Sequence, residues 1–261
     1  MSGAIRVLLP PSAGNLVAAV LEAGCTPVID GTGPTPPAVP PGAWVRTRPG
    51  RPAPGTGPVI LAEYGAPVPD RPTWLETAVP REIPPGYAGL VLKGREAGGF
   101  CGEEDGLASL AACPSPGRVI LDAGVGPDTA AAAAALGAAG VLLVEQHLGC
   151  PEVGLPAGLR AILERSDDEI SRMVVGVRVA NPPTAAVLRR LAAGEDPWLL
   201  AERLWDGGSS SDSLWMAGQG LALARELADR HGTLGALLRA FDAAWARWPT
   251  TARRAPVRPL G

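Results

Sequence analysis

The sequence predicts an α/β protein built as a closed but trimmed (β/α)8 barrel, TIM-barrel-like, with a pair of helices at its C-terminal end. Short, almost continuously apolar runs recur along the chain, helical patterns or loops separate them, and several end in a polar residue followed by glycine. Apolar strands that alternate with helices are typical of a parallel sheet covered on both faces, and eight such units favour closure into a barrel. An open doubly wound sheet is the alternative.

The strands are predicted from apolar runs, and the helices from apolar periodicity and end signals. Ser12 is expected to cap the first helix and Gly24 to end it. A further helix start is expected at 70–76, with Pro72 in its first turn. The predicted strands cover residues 4–9, 26–30, 42–46, 58–63, 87–92, 117–122, 140–144 and 173–179. The predicted helices cover residues 13–23, 103–112, 130–136, 156–166, 184–193, 214–229 and 233–248.

Composition divides the chain into four regions. Residues 1–194 hold the predicted barrel, although glycine and proline dominate 31–57 and a loop is expected there in place of one helix. Residues 195–213 are predicted to be a linker, and 214–249 a helical extension that packs on the barrel. The basic, proline-rich segment 250–261 is expected to be a disordered tail.

The charge and cysteine content exclude several classes of function. A net charge of -3 gives no electrostatic basis for binding nucleic acid or an anionic membrane. No apolar run reaches membrane-spanning length, and no secretory signal is visible. The four cysteines and two histidines lack metal-ligand spacing, so no metal site is expected. We therefore expect a cytoplasmic protein with reduced thiols.

Two glycine-rich segments at strand ends are the candidate binding elements. Lys93 and Glu96 stand beside Gly98 and Gly99 in the first segment, where a backbone without side chains can approach a ligand closely. A charged pair on the surface is the competing interpretation. The second segment, 123–126, could offer backbone N–H groups to a phosphate at a helix start, or could simply be a tight turn whose amides are capped by Asp128.

Three further side chains are candidates for acid–base or nucleophilic work. Glu96 and Cys101 lie in or next to the first glycine-rich segment, and His147 follows a predicted strand. A thiol at a helix start and a histidine at a strand end can both act chemically. A buried inert cysteine and a surface histidine are the competing interpretations, and the sequence identifies no established catalytic residue.

Three motifs in this order resemble one enzyme family. Gly94-Arg95-Glu96-Ala97-Gly98-Gly99 is similar to the G-x-E-A-G-G loop of nitronate monooxygenases, and 123–131 with 137–141 resembles the phosphate-side turn and following strand of that family. Leu214 to Gly220, Leu-Trp-Met-Ala-Gly-Gln-Gly, resembles a subgroup found at the start of some bacterial modular polyketide synthases. The resemblance spans roughly residues 86–248.

The resemblance implies an FMN-binding TIM barrel. Lys93, Glu96, Gly98 and Gly99 would line the face over the flavin ring. The flavin phosphate would lie at the turn and the following strand, at Ala123, Gly124, Gly126 and Gly140. An acyl or carrier-bound substrate, a polyketide synthase partner and a homodimer are the partners expected.

The sequence also departs from the family at two functional positions. Nitronate monooxygenases carry a histidine after the paired glycines, which is taken to be the catalytic base, whereas this chain has Phe100. Phenylalanine cannot accept a proton. The second phosphate-binding Gly-Thr turn is replaced by Glu145-Gln146-His147.

Three functional hypotheses follow. The first is an FMN-dependent oxidoreductase of polyketide or fatty-acid biosynthesis. The second is a catalytically degenerate, flavin-free barrel that serves as a docking or structural module of a synthase. The third is a flavin-free enzyme that uses the same barrel mouth.

Overall fold

The computed structural model describes residues 3–12, 14–33, 35–155, 157–164, 171–174, 177–180, 185–196 and 216–248. Eight parallel strands close into a barrel in the order β1-β2-β3-β4-β5-β6-β8-β9, which confirms the predicted fold class. The barrel strands are β1 Ile5–Leu9, β2 Thr26–Asp30, β3 Trp44–Thr47, β4 Val59–Leu61, β5 Thr73–Thr77, β6 Gly89–Lys93, β8 Val119–Asp122 and β9 Gly140–Leu143. A second, antiparallel sheet has the order β10-β11-β7, with β7 Gly99–Phe100, β10 Ser171–Val174 and β11 Val177–Ala180.

Eight barrel strands were expected, but one of the eight differs from the prediction. The predicted helix start at 70–76 is wrong, because Thr73–Thr77 forms β5 and pairs with β4 and β6. Pro72 precedes the strand, and Trp74 and Glu76 alternate with outward-facing Thr73 and Leu75. The predicted strand 173–179 is not part of the barrel. Its described residues, 173–174 and 177–179, lie in two antiparallel strands of the small sheet, where Met173 pairs with Arg178.

The helices form mostly where they were predicted, with different starts. The first begins as a 3-10 turn and has Leu16 as its N-cap, so Ser12 does not cap it. Gly24 ends it with a φ of 79°. The second begins at Gly106, because the Asp105 side chain accepts hydrogen bonds from Leu107 and Ala108. The helices are α1 Val17–Glu22, α2 Gly106–Ala111, α3 Pro127–Ala135, α4 Ala157–Leu163, α5 Ala185–Ala192, α6 Gly220–His231 and α7 Leu234–Ala246.

One side of the barrel is covered by loops rather than helices. Between β2 and β6 the described residues contain no helix, so four successive crossovers are loops. The sequence predicted that a loop would replace only one helix. Apolar loop side chains pack on the outer faces of these strands in place of helices. The Arg71 side chain donates to the carbonyls of Gly57 and Ala53 and holds two of these loops together. The loop-packing side chains are Val39, Ala53, Val68 and Ile83.

The C-terminal helices complete the opposite side of the barrel. Helix α7 packs against α3 and α1, and buries Phe241 and Trp245. Trp248 at its end remains exposed. The predicted linker lies outside the described residues from 197 onward, and so do the tail 250–261, Trp205 and Trp215. Within the described ranges, every helix is too short or too polar to span a bilayer.

The barrel interior is layered along its axis. A buried apolar layer fills the centre. Below it, at the amino ends of the strands, the Arg6 guanidinium lies 4.6 Å from the ring centroid of Trp44. Above it, at the carboxyl ends, the inward-facing side chains are ionisable. The apolar layer consists of Leu8, Val28, Ile60, Val91, Ile120 and Leu142.

Candidate functional site at the barrel mouth

The carboxyl ends of five strands place ionisable side chains in one layer. Each is located two residues after a side chain that faces the barrel interior, and alternate residues of a strand face the same side. The layer therefore lies directly above the apolar centre of the barrel, and all its members are buried. They are Asp30, Arg46, Glu76, Lys93 and Asp122.

Arg46 is the centre of the first half of this layer. Its Nε and Nη2 atoms lie 2.6 and 2.9 Å from the two oxygens of Glu76. Its Nη1 atom is 3.5 Å from both oxygens of Asp30. Burial acts to raise the pKa of Glu76, but the charges of Arg46 and Lys93 and the hydrogen bonds from Arg46 together outweigh it, and the pKa lies below its usual value. Glu76 is therefore a buried, ionised carboxylate.

In the second half of this layer, which holds Lys93 and Asp122, the buried charges are less well compensated. Lys93 Nζ lies 3.5 Å from Asp122 Oδ2, while Asp122 Oδ1 is buried with no hydrogen-bond partner among the described residues. Glu145 follows β9 and is also buried. Burial, reinforced by the charge of Asp122, raises the pKa of Glu145 to about 7. Burial raises the pKa of Asp122 as well. Both carboxyls therefore hold protons more tightly than ordinary ones, because they are buried and because two cations face four acids at the mouth.

The first glycine-rich segment is covered by the chain itself. The Glu96 Oε2 atom accepts the Gly106 N–H at 3.1 Å, and the Glu96 carbonyl accepts the Gln219 N–H at 2.8 Å. A Cβ on Gly98 would lie 2.7 Å from the Met216 carbonyl oxygen. Gly98 therefore serves a close backbone approach, but its neighbour is the segment 216–220 rather than open space.

The second glycine-rich segment meets the same part of the chain. Gly124 has a φ of 58°, and a Cβ there would lie 2.8 Å from the Gly220 amide nitrogen. The N-cap of α3 is Gly126, and no side chain hydrogen-bonds to it, so the expected capping by Asp128 is wrong. The Asp128 carboxylate instead lies 3.6 Å from Arg247.

The predicted cofactor-binding residues do not all come together. Lys93, Gly98, Gly99, Ala123, Gly124 and Gly126 lie at or near the mouth, because they end or follow β6 and β8. Gly140 does not, because β9 begins there and its inner face packs against Arg6 at the amino end of the barrel. Its placement beside a phosphate at the mouth is corrected accordingly.

The three catalytic candidates occupy separate environments. Glu96 binds the start of α2, and burial raises its pKa. Cys101 Sγ lies 3.6 Å from Met173 Sδ, and burial raises the pKa of this thiol as well. His147 is buried, and burial lowers its pKa to about 4. Among the described residues, no hydrogen bond joins any two of the three.

Glu145 and Gln146 are the mouth residues that the sequence reasoning missed. Glu145 Oε1 accepts the Gly218 N–H at 2.8 Å, and Gln146 Nε2 donates to the Val125 carbonyl at 3.1 Å. Both therefore join β9 to the neighbouring segments. An available signal was the presence of a charged residue at the end of an apolar strand, which also marks Asp30, Arg46, Glu76 and Asp122.

Comparisons with known proteins give structural likeness only. No protein-family model and no curated protein matches the chain. FabK from Thermotoga maritima superposes with a TM-score of 0.62 at 16% identity, over 92% of this chain and 94% of that one. A nitroalkane oxidase from Streptomyces ansochromogenes superposes with a TM-score of 0.62 at 18% identity, over 94% of this chain and 96% of that one.

In fold, the chain is similar to both. The resemblance predicted from the motifs is therefore confirmed as a likeness of fold. The M276A mutant of FabK superposes equally well, with a TM-score of 0.62. The link to polyketide synthases stays a prediction.

On its Gly124 side, the predicted phosphate turn does not fit the phosphate of FMN. The Gly124 side of the turn is in contact with the Gly220 backbone, and Glu145 already places a carboxylate on the adjacent Gly218 amide. A phosphate at the turn would add negative charge beside Glu145 and Asp122, and like charges in a poorly solvated site repel strongly. Gly98 and Gly124 instead accommodate the chain's own atoms, whereas a Cβ on Gly126 would meet nothing within 4 Å.

Proposed function

We propose that the protein is a catalytically reduced barrel that serves as a structural or docking module of a synthase in polyketide or fatty-acid biosynthesis. The observation that carries this proposal is the side chain at the position of the family's base. Phe100 stands there, and it cannot transfer a proton.

Among the described residues, none of the three catalytic candidates replaces that base. Cys101 has a raised pKa, so its nucleophilic thiolate form is disfavoured. His147 is completely buried, and Glu96 is engaged with the start of α2. A base must lie within hydrogen-bond reach of the proton it removes. None of these three side chains is both accessible and poised for that role.

The docking part of the proposal rests on the small sheet beside the mouth. Phe100 and Met173 are each 43% exposed on this sheet, although large apolar side chains are usually buried. Exposed aromatic residues and methionines are enriched where proteins contact partners. We assign this sheet to contact with a synthase partner.

Visible absorbance and FMN titration test the loss of flavin chemistry. We expect the purified protein to be colourless and to leave FMN fluorescence unchanged on titration, because the Gly220 backbone fills the Gly124 side of the phosphate turn. The same preparation should not oxidise a nitroalkane or reduce an enoyl thioester. A protein that carries a flavin band and turns over either substrate contradicts the proposal.

A paired substitution tests the docking role. Phe100→Ser with Met173→Ser should keep the thermal midpoint within a few degrees, since exposed substitutions usually change stability little. It should lower the output of the synthase in producing cells. Leu136→Ser is a matched control, because Leu136 is 40% exposed on the last turn of α3, outside the small sheet. Equal output from the paired variant and the control opposes docking at this sheet.

An FMN-dependent oxidoreductase that acts on an acyl or carrier-bound substrate is the second candidate. It is favoured by the buried amine of Lys93, which would lie 3.9 Å from a Cβ placed on Gly99. A cation therefore lies beneath a backbone that has no side chain, in the place where the resemblance puts the flavin ring. The flavin band that contradicts the first proposal would support this one.

A further inference from the structure

We propose that the Glu145 carboxyl group determines which ligands the barrel mouth accepts, and that its ionised form excludes phosphate-bearing molecules from the turn at 124–126. This residue-level role is separate from the docking proposal. It concerns the chemical class of ligand, phosphate monoesters, rather than the biological role of the barrel.

The place that Glu145 occupies attracts anions. Helix α3, of nine residues, and helix α6, of twelve, both begin beside the 124–126 turn. The amino end of a helix carries partial positive charge and unpaired N–H groups, so it binds phosphates and carboxylates. Neither helix has a side chain that hydrogen-bonds at its N-cap. The Glu145 carboxylate is the anion on the α6 side, through the Gly218 N–H.

The second oxygen of Glu145 gives independent support for placing the Glu145 carboxyl group in an anion-binding position. Glu145 is buried, and its Oε2 atom has no hydrogen-bond partner among the described residues. A Cβ on Gly220 would lie 2.7 Å from that oxygen. The oxygen is therefore directed at the start of α6, in the space that a phosphate oxygen would need.

Gln146 keeps Glu145 in this position. Its Oε1 atom accepts the N–H groups of Val144 at 2.9 Å and Glu145 at 3.1 Å. Its Nε2 atom donates to the carbonyl of Val125 at 3.1 Å, within the turn itself. The end of β9 and the turn are thus fixed to each other, and the carboxylate between them has little freedom to move aside.

The test is a gain of binding after Glu145 is replaced. Glu145→Gly removes both the charge and the volume of the side chain, while Glu145→Gln removes the charge alone. At pH 8, inorganic phosphate and FMN should bind Glu145→Gly at least about tenfold more tightly than the parent protein, because a buried like charge is gone. Glu145→Gln should show a smaller gain. Riboflavin, which lacks the phosphate, should show none.

A matched control separates this local effect from a change in net charge. Glu103→Gln alters the total charge equally but replaces an exposed residue near the same mouth. It should bind phosphate no better than the parent. If both Glu145 variants keep the parent's circular dichroism and cooperative melting yet gain no phosphate affinity, the inference is overturned. A parent protein that binds phosphate as tightly as the variants overturns it too.

The outcome for the parent protein separates this inference from the proposed function. A parent that binds FMN and riboflavin equally would hold flavin without its phosphate. If Glu145→Gly also binds phosphate more tightly than the parent protein, the two results together contradict the proposed flavin-free function. They still support the exclusion of phosphate by Glu145.

Discussion

Arg46 shows how a single residue governs the barrel mouth. It is buried and compensates Glu76 and Asp30 at once, through contacts with both oxygens of each carboxylate. Removing one partner of a buried ion pair leaves a charge that neither water nor protein compensates. The stability of the mouth therefore depends more on this guanidinium than on any exposed ion pair of the protein.

Arg46→Met should lower the free energy of unfolding by about 3–5 kcal/mol, measured by guanidinium chloride denaturation. Arg230→Ala, which breaks the exposed Arg230–Glu226 pair on α6, should cost at most about 1 kcal/mol. If Arg46→Met fails to fold, the double variant Arg46→Met, Glu76→Leu should recover part of the loss, because Arg46 and Glu76 are then both absent and only Asp30 has lost its cation. A cost below about 1 kcal/mol for Arg46→Met alone contradicts a central role for this pair.

The segment 216–220 shows how one element can fill a site. It packs its backbone against both glycine-rich segments, and a Cβ on Gly218 would overlap the Glu96 carbonyl. Three hydrogen-bonded or contacting glycines, Gly98, Gly124 and Gly218, make that approach possible. The segment therefore attaches the C-terminal helices to the mouth through main-chain contacts that depend on the absence of side chains.

Gly218→Ala should weaken this attachment and destabilise the protein by about 1–3 kcal/mol, as overpacking does. Relative to the parent protein, amide hydrogen exchange in Gly218→Ala should speed up more at the start of α6 than in the barrel strands. Gly235→Ala is the control, because a Cβ there would first meet the flexible Arg239 side chain, 3.3 Å away, inside α7. It should be neutral or slightly stabilising. Unchanged exchange in α6 would show that the contact does not hold the segment.

The elements that the sequence did and did not predict differ in one physical respect. Continuous apolar runs such as Val119–Asp122 were recognisable because both faces of a barrel strand are buried. Thr73–Thr77 was missed because it follows Pro72 and alternates polar with apolar residues, so a helix start was an equally good interpretation. Glu145 was passed over because its importance comes from Gly218, 73 residues later. Such contacts depend on tertiary structure and leave no local pattern.

At the scale of the whole molecule, Glu145 and His147 are two of the buried titrating groups among the described residues, and their effects on stability oppose each other. The folded pKa of Glu145 is about 7 against an ordinary 4.5, so the native state retains a proton that the unfolded chain releases, and stability falls as pH rises through this range. The folded pKa of His147 is about 4 against 6.5, so the unfolded chain gains a proton first as pH falls, and stability falls from pH 6.5 towards 4. Between pH 4.5 and 6.5 the two slopes partly cancel.

Single substitutions should separate the two slopes in pH-dependent unfolding. Relative to the parent protein, Glu145→Gln should gain stability as pH rises from 4.5 to 6.5, and His147→Gln should lose it. Each difference should approach about 1.4 kcal/mol per pH unit. Because the charge of Asp122 raises the pKa of Glu145, the Glu145→Gln difference includes any change in the titration of Asp122. Parallel stability curves for the three proteins contradict this assignment.

Lys93 is the only lysine of the chain, and it lies in the buried ionic layer beside Asp122. The other strongly basic side chains are all arginines, whose guanidinium stays protonated and resists acylation at neutral pH. The folded barrel therefore presents no lysine on its surface to acetylating, ubiquitinating or amine-coupling chemistry. Because the mouth must open before a reagent can reach this amine, acylation of Lys93 would record the opening of the barrel mouth and little else.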